Sequence, residues 1–326
     1  MDALYDLDTR ALWPKIPTSD AGVLILEYHC VSNAPEGSKH PGMYIKPETF
    51  DKQMMILKNM GMKGISFVES IDELGTGNFD MSHVVLTFDD GHDDNLQVSY
   101  DLKSIDFNAT FFVITGKVGK HYPNQSLFYL GWEDLRKISD LGFEIGSHTV
   151  NHIDLSAASP SRADYEISQS IKDVEDNIGK EVRTFSIPKG AYTTDVIIEI
   201  SRYGLDGCVT SDRGYMNGQI VHRAPRILVE EDTDLGKILT VYLKTNLKFG
   251  IEKFVVGDSG EKIRSFRTIL TRLGYPLLDS DVFDEQMELA VSTYQEALAI
   301  EPSGELNHTT IDIMVNDFME LVTSEE

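Results

Sequence analysis

Asp89 and Asp90 are adjacent carboxylates that follow an apolar run, Val84-Val85-Leu86-Thr87-Phe88, and precede Gly91. Neighbouring residues at a turn point in different directions, so one carboxylate can bind a metal while the other takes a proton. His148 and His152 follow a second lead-in, Phe143-Glu144-Ile145-Gly146. Two imidazoles and one carboxylate are enough to hold zinc with positions left open for water and substrate. Water so bound ionises near neutral pH and becomes a nucleophile. The free carboxylate is then its general base. Taken alone, an Asp-Asp-Gly is usually a turn, and a His-x-x-x-His pair on a loop is more often not a ligand pair. Placed together at the ends of buried strands, they point to a metal-dependent hydrolase. The same donor set also suits non-haem iron oxygenases. The second aspartate favours hydrolysis, because an oxygenase has no comparable use for it.

Such residues need strands that end side by side. Val23-Leu24-Ile25-Leu26, residues 84–88 and Thr110-Phe111-Phe112-Val113-Ile114 are short apolar runs of the kind that form buried parallel strands. Helical patterns lie between them. Pro47 opens one with Phe50, Met54, Leu57 and Met60 on a single face and Gly61 just past its end. Trp132, Leu135, Ile138 and Leu141 mark another that stops at Gly142. Ser159-Pro160 reads as an N-cap and first-turn proline, with Ala163, Ile167, Ile171, Val174 and Ile178 inward and Gly179 at the end. Strand and helix alternate to about residue 230, which predicts a parallel sheet, as a barrel or an open sheet. From about residue 254 only helical patterns remain. Ile263, Phe266, Leu270 and Leu273 share one face, as do Met287, Ala290, Val291, Tyr294 and Leu298, and then Ile311, Val315, Phe318 and Val322. They predict a small three-helix bundle. The joining stretch, Ile238 to Phe254, is not rich in Gly or Ser, so the two parts are expected to pack together. The expected organisation is an N-terminal surface arm over residues 1–20, an α/β domain over 21–245 and the bundle over 246–326.

Composition narrows the function classes. The 326 residues carry 53 acidic and 29 basic side chains, a formal charge of −24, which disfavours nucleic acid and anionic membrane surfaces as partners. The acid is spread along the chain, as on a solvated surface. Cys30 and Cys208 are the only cysteines, so a disulfide framework and a Cys-rich zinc site are excluded; each sits in an apolar run and reads as a buried thiol. No stretch is long and apolar enough to span a bilayer. Residues through Asp20 lack the basic start and apolar centre of a signal peptide.

Thr87-Phe88-Asp89-Asp90-Gly91 and Ser147-His148-Thr149-Val150-Asn151-His152 resemble the first two signature motifs of the polysaccharide deacetylases, the NodB-homology domains of carbohydrate esterase family 4. The resemblance covers roughly residues 22–235 and includes Tyr28-His29 and Ala109-Thr110-Phe111-Phe112-Val113. It implies a distorted (β/α) barrel that removes N- or O-acetyl groups from sugar polymers. It also implies Asp89 as the base, and Asp90, His148 and His152 as ligands of a divalent ion, Zn²⁺ first with Co²⁺ or Ni²⁺ as alternatives. Tyr28, His29 and Pro188 are expected on the substrate side. The third motif departs from the family pattern. Where many members have an Arg, two prolines, an aromatic and Gly, this chain has Ser186-Ile187-Pro188-Lys189-Gly190. A small residue in place of the Arg is similar to the branch that includes biofilm poly-N-acetylglucosamine deacetylases, as is the later Pro225-Arg226-Ile227. Arg226 is therefore expected to substitute electrostatically for the missing Arg. Lys189 replaces the aromatic but keeps the backbone N–H that holds the oxyanion in the family. The family's late general-acid His has no clear match; His222 is the nearest in sequence. His92, directly after the Asp-Asp-Gly turn, either tunes the site or caps a helix.

Val256-Gly257-Asp258-Ser259-Gly260, Leu273-Gly274-Tyr275, Val282-Phe283-Asp284 and Ser303-Gly304-Glu305-Leu306 resemble peptidoglycan-binding-like modules over about residues 254–322. Such a module implies export, so the expected protein is secreted or cell-wall-associated in a bacterium, its signal peptide absent from this sequence. The joint expectation is a metal-dependent N-deacetylase of an N-acetylglucosamine polymer such as peptidoglycan. Its rivals are an O-acetyl esterase on the same fold and a catalytically weak wall-binding protein.

Overall fold

Eight parallel strands make up the main sheet, and the apolar runs among them, at Ile25–Tyr28, His83–Phe88 and Thr110–Val113, form because burial on both faces suits residues that are hydrophobic without alternation. The computed structural model describes residues 15–17, 22–36, 38, 40–122, 127–218, 220–248 and 250–324. In chain order the strands are β1 (Ile25–Tyr28), β2 (Lys63–Ile65), β3 (His83–Phe88), β4 (Thr110–Val113), β5 (Glu144–Ser147), β6 (Thr184–Ser186), β7 (Gly207–Arg213) and β8 (Ala224–Leu228). Their order is β1-β8-β7-β6-β5-β4-β3-β2, and β1 also pairs with β3. That extra pairing closes seven strands into a barrel and leaves β2 outside, attached to β3. Every residue of β1 and β4 is buried. The expected (β/α) barrel is thus the observed one.

Helices α1 (Pro47–Asn59), α2 (Phe67–Gly75), α3 (Asn95–Ser104), α4 (Trp132–Asp140), α5 (Pro160–Ile178), α6 (Thr194–Ser201) and α7 (Leu235–Lys248) accompany the strands. In α1, Pro47 occupies the first turn, Phe50, Met54 and Leu57 are buried, and Gly61 turns away at φ 69°. Ser66 and Glu69 make a reciprocal capping box at the start of α2. Gly179 ends α5 in the left-handed conformation, φ 77°. Ser159 stands at the N-cap of α5, but its side chain accepts no bond from the helix. Pro160, which lacks an N–H, already removes one of the donors a cap would satisfy.

Three further helices, α8 (Glu261–Arg272), α9 (Glu285–Ala297) and α10 (His308–Ser324), form the C-terminal bundle. It is tied at its base by a short antiparallel pairing of Lys253–Phe254 with Leu306–Asn307. α10 packs along α7. There Lys248 Nζ lies 2.6 Å from Asp312 Oδ1 and Lys244 Nζ 2.7 Å from Asn316 Oδ1. α7 runs through residue 245, so the boundary expected there falls inside a helix. The N-terminal arm lies outside the described residues except for Lys15–Pro17, which pairs antiparallel with Asn78–Asp80. Among the described residues no helix is long and apolar enough to cross a membrane. Both cysteines are free and buried.

One glycine sets the spacing of the barrel wall beneath the site. A Cβ on Gly146 in β5 would meet the Phe112 ring at 2.5 Å and the Thr184 carbonyl at 3.1 Å. Gly146→Ala is therefore expected to destabilise the fold by about 1–3 kcal/mol through overpacking. A urea titration should show a lower midpoint with an unchanged slope.

Candidate active site

The C-terminal ends of β1, β3, β5 and β6 carry His29, Asp89, His148 and Ser186 to one end of the barrel. The Asp89 N–H donates to the Tyr28 carbonyl at 2.9 Å, extending the β1–β3 ladder by one residue. The chain then breaks sharply: Asp90 has φ 75° and Gly91 φ 77°. This turn separates the adjacent carboxylates. Among the described residues six non-glycines have positive φ, and four of them, Asp90, Thr149, His152 and Lys189, lie in the loops of this site. Such conformations cost of order 1–3 kcal/mol each and persist only where surrounding structure enforces them.

Asp90, His148 and His152 converge. Asp90 Oδ1 is 3.7 Å from His148 Nε2 and 3.6 Å from His152 Nε2. These separations are too long for hydrogen bonds. They are close to the roughly 3.4 Å expected between two ligands of one tetrahedral ion with bonds of about 2.1 Å. Asp90 Oδ1 is buried and has no hydrogen-bond partner among the described residues, a costly state for an isolated carboxylate oxygen. His148 Nδ1 lies 2.8 Å from the Ser186 carbonyl. A carbonyl only accepts, so Nδ1 carries the proton and the Nε2 lone pair faces Asp90. Burial, reinforced by neighbouring His148, pushes His152 down to about 4, which keeps its imidazole neutral near pH 7. The donor set therefore fits a divalent ion. The other oxygen of Asp90 lies 3.4 Å from His92 Nε2, and the His92 ring stacks on Tyr129 at 5.0 Å. Burial works against the Asp90 charge, yet the His92 contact holds its carboxyl well below the ordinary range. His92 moves upward: its burial opposes the shift, and Asp90 outweighs it. The His92 side chain thus contacts Asp90, and the N-cap of the following helix is Asp94.

Asp89 is held differently. Arg226, 1% exposed on β8, donates through Nη1 to Asp89 Oδ1 at 2.9 Å and through Nη2 to Oδ2 at 2.7 Å. The rest of its fork is occupied by the Thr210 carbonyl, Thr87 Oγ1 and Ser186 Oγ at 2.9, 3.1 and 3.2 Å. Ser186 Oγ in turn donates to Asp89 Oδ2 at 3.0 Å. The small residue of the third motif thus lies beside the guanidinium supplied from β8. Burial raises the Asp89 carboxyl, but Arg226 and then His148 overcome it and hold it below the usual carboxylate range.

Sequence reasoning passed over Glu27. Its carboxylate is buried, with Oε1 3.2 Å from Arg226 Nη2 and 4.0 Å from His29 Nε2, and Oε2 unpartnered. An acid inside the apolar run Leu26-Glu27-Tyr28 was the available signal. Glu27, His29 and Asp89 form a second close group of donor atoms, but Arg226 already supplies its cation. His29 is buried with Nδ1 unpartnered, and it acts electrostatically on both Asp89 and Asp90.

Three expected positions come out differently. Tyr28 does not face substrate. It is fully buried, donates to Gln53 Oε1 at 3.0 Å and stacks on Phe88 at 5.3 Å. Side chains alternate across a strand, so if His29 and Glu27 face the site, Tyr28 must face the helix layer. Pro188 is also buried, and it opens the short turn Pro188–Gly190 that presents exposed Lys189 at φ 61°. His222 sits in a turn before β8. Its buried Nδ1 is unpartnered, and it makes no hydrogen bond or ion pair with Asp89, Asp90, His148 or His152 among the described residues.

The chain is similar to known proteins in sequence and fold. Residues 76–208 match the family described as "Polysaccharide deacetylase", and residues 259–314 match "Putative peptidoglycan binding domain". "Putative polysaccharide deacetylase YxkH" of Bacillus subtilis is 26% identical over 210 residues, covering 64% of this chain and 70% of that protein. The chitooligosaccharide deacetylase of Azorhizobium caulinodans is 32% identical over 127 residues, 38% of this chain and 56% of the relative. The structure of the Streptococcus pyogenes deacetylase PplD in complex with acetate is similar at TM-score 0.61 and 25% identity, covering 69% of this chain and 98% of that one. Residues 76–208 thus belong to a polysaccharide deacetylase domain of the NodB-homology type, and residues 259–314 to a domain of the peptidoglycan-binding family.

Proposed function

We propose that the chain is a metal-dependent N-deacetylase of an N-acetylglucosamine-containing cell-envelope polysaccharide, acting at the cell wall. The observation that carries this reading is the division of the two aspartates. Asp90 turns an unpartnered oxygen toward two imidazoles, while Asp89 is locked by Arg226 within 3.9 Å of His148 Nε2. Asp90, His148 and His152 would hold the ion, most simply Zn²⁺. When bound it supplies Lewis acidity and a water that ionises near neutral pH. Asp89 takes the proton of the water that adds to the acetyl carbon. Arg226 keeps the Asp89 carboxylate charged and aimed. The Lys189 N–H, on its left-handed turn, donates to the developing oxyanion. His29, which acts on both aspartates, donates a proton to the amine nitrogen as the C–N bond breaks. Acetate and a free amine leave. The peptidoglycan-binding domain and the chitooligosaccharide activity named for one relative support an N-acetylated glycan as substrate.

The test is acetate release from chitooligomers, poly-N-acetylglucosamine, peptidoglycan and acetylxylan with Zn²⁺, Co²⁺ or Ni²⁺ supplied. Release is expected from at least one N-acetylated glycan, abolished by chelation and restored by metal. Asp89→Asn should keep the metal and lose about 10²–10⁴-fold in turnover, the usual share of general-base catalysis. Release from acetylxylan alone would replace the reading with O-acetyl esterase, and release from none would leave a wall-binding protein.

The Arg226 fork gives a second expectation. Because the guanidinium lowers the Asp89 carboxyl, the base stays ionised below the ordinary value of about 3.9. Arg226→Gln removes that cation, so the acid limb of the kcat/KM profile should move to higher pH. Arg226→Lys keeps a charge but not the fork, and should cost about 10²-fold through misplacement of the base with less movement of the limb. Identical profiles for all three proteins would refute the role assigned to Arg226.

A further inference from the structure

Between the two histidine ligands the chain makes no regular structure, yet it is held in an unfavourable shape. Thr149 has φ 65° and His152 φ 56°. One local bond supports this: the His152 N–H donates to Thr149 Oγ1 at 2.9 Å. Further support comes from α5. Glu166 Oε2 accepts the Asn151 backbone N–H at 2.8 Å, and Oε1 accepts Asn151 Nδ2 at 2.8 Å. Glu166 is fully buried although it is a carboxylate. Its cationic neighbour among the described residues is half-exposed Arg162, one turn earlier, with Nη2 2.5 Å from Oε1. A buried acid on the core side of an amphipathic helix weakens the helix's packing unless its bonds are worth the desolvation.

Glu166 does not act alone. Ser170 and Asp173 follow at i+4 and i+7, on the same helical face. The hydroxyl of Ser170 lies 2.7 Å from that of Ser147, the residue before His148. Asp173 Oδ2 accepts Thr115 Oγ1 at 2.7 Å. The Thr115 and Gly116 N–H groups then donate to the Thr149 and Val150 carbonyls at 3.1 and 2.9 Å. A Cβ on Gly116 would lie 2.4 Å from that Val150 carbonyl, so the contact requires glycine. One polar stripe of α5 thus grips the ligand loop directly and through the neighbouring loop after β4.

We infer that Glu166 is a positioning residue for the metal site: it clamps Asn151 so that His148 and His152 reach one ion together. This rests on the metal-hydrolase reading above. The probe is Co²⁺ alone, titrated into full-length protein and followed by its visible d–d absorption, which reports ligand geometry independently of turnover. Glu166→Gln keeps the volume but presents an amide N–H to Asn151 Nδ2, which breaks half the clamp. It should weaken Co²⁺ about 10–100-fold, as loss of an outer partner of a metal ligand usually does, and shift the absorption band. Asn151→Ala, at an exposed position, removes only the side-chain bond and should weaken Co²⁺ less. If Glu166→Gln fails to fold, Asn151→Ala still carries the test. Wild-type affinity and an unchanged spectrum in every folded variant would overturn the inference while leaving the hydrolase reading intact. No Co²⁺ binding by the wild type would instead overturn both.

Discussion

A guanidinium buried at the centre of the barrel organises this site. Removing Arg226 from water costs several kcal/mol, which is recovered only when its donors and the facing carboxylates are all bonded. The donors of Arg226 are all bonded: two bonds reach Asp89, and others reach Thr210, Thr87 and Ser186, while Glu27 keeps one oxygen without a partner among the described residues. The ion pair also fixes geometry elsewhere. It draws together β8, β7, β3 and β6, whose ends could otherwise splay. It leaves Asp89 without freedom to rotate toward the triad. Glu27 and Asp89 face this one guanidinium, while Asp90 turns to His92 on one side and to His148 and His152 on the other.

The strained loops follow from the same arrangement. Parallel strands deliver backbone to one end of the barrel but not at the angles a metal or a base needs. Left-handed residues at Asp90, Thr149, His152 and Lys189 supply abrupt changes of direction where a regular strand or helix could not. Asp tolerates this conformation better than most side chains, whereas Thr is penalised by its β-branch. Thr149 is fully buried and bonded through its hydroxyl, its carbonyl and its neighbours, which is how the penalty is met. Residues in this state are easier to hold in a rigid wall than in a mobile loop.

The sequence made the chemistry-bearing residues legible because they sit at strand ends within contiguous motifs. The barrel was legible for a related reason: its strands are unbroken apolar runs, and its helices carry proline starts and glycine stops. The expectation for Arg226 came from the resemblance: the third motif lacks the family's Arg, and Pro225-Arg226-Ile227 is similar to the later segment of the branch that lacks it too. Tyr28 was misread because a two-residue motif was taken as a unit, although strand alternation turns its members to opposite faces. Glu27, His92 and Glu166 were harder. Each is a charged or polar residue whose value lies in a contact across the fold, and a spacing of one helical turn or one strand cannot reveal what lies opposite. Glu166 in particular looks like an ordinary solvated acid until α5 is placed against the ligand loop.

The C-terminal bundle illustrates the same limit at the scale of a domain. Its periodicity identifies three helices, but not the fact that α7 belongs to both parts. Tyr242 is fully buried against the barrel, 5.3 Å from Tyr215 and with its hydroxyl 3.7 Å from Met81 Sδ. Two residues further on, Lys244 turns to α10, and Lys248 does so again one turn later. Leu239, Leu243 and Leu247 fill the space between. A helix that packs against both domains cannot be assigned to either from its own pattern, because its apolar face is shared between them while only Lys237, Val241 and Thr245 form an exposed stripe. The apolar residues of barrel and bundle accordingly form one continuous core. Separating the bundle would expose the side of α7 that α10 now covers, so the C-terminal domain is built into the packing of the barrel rather than carried on a tether.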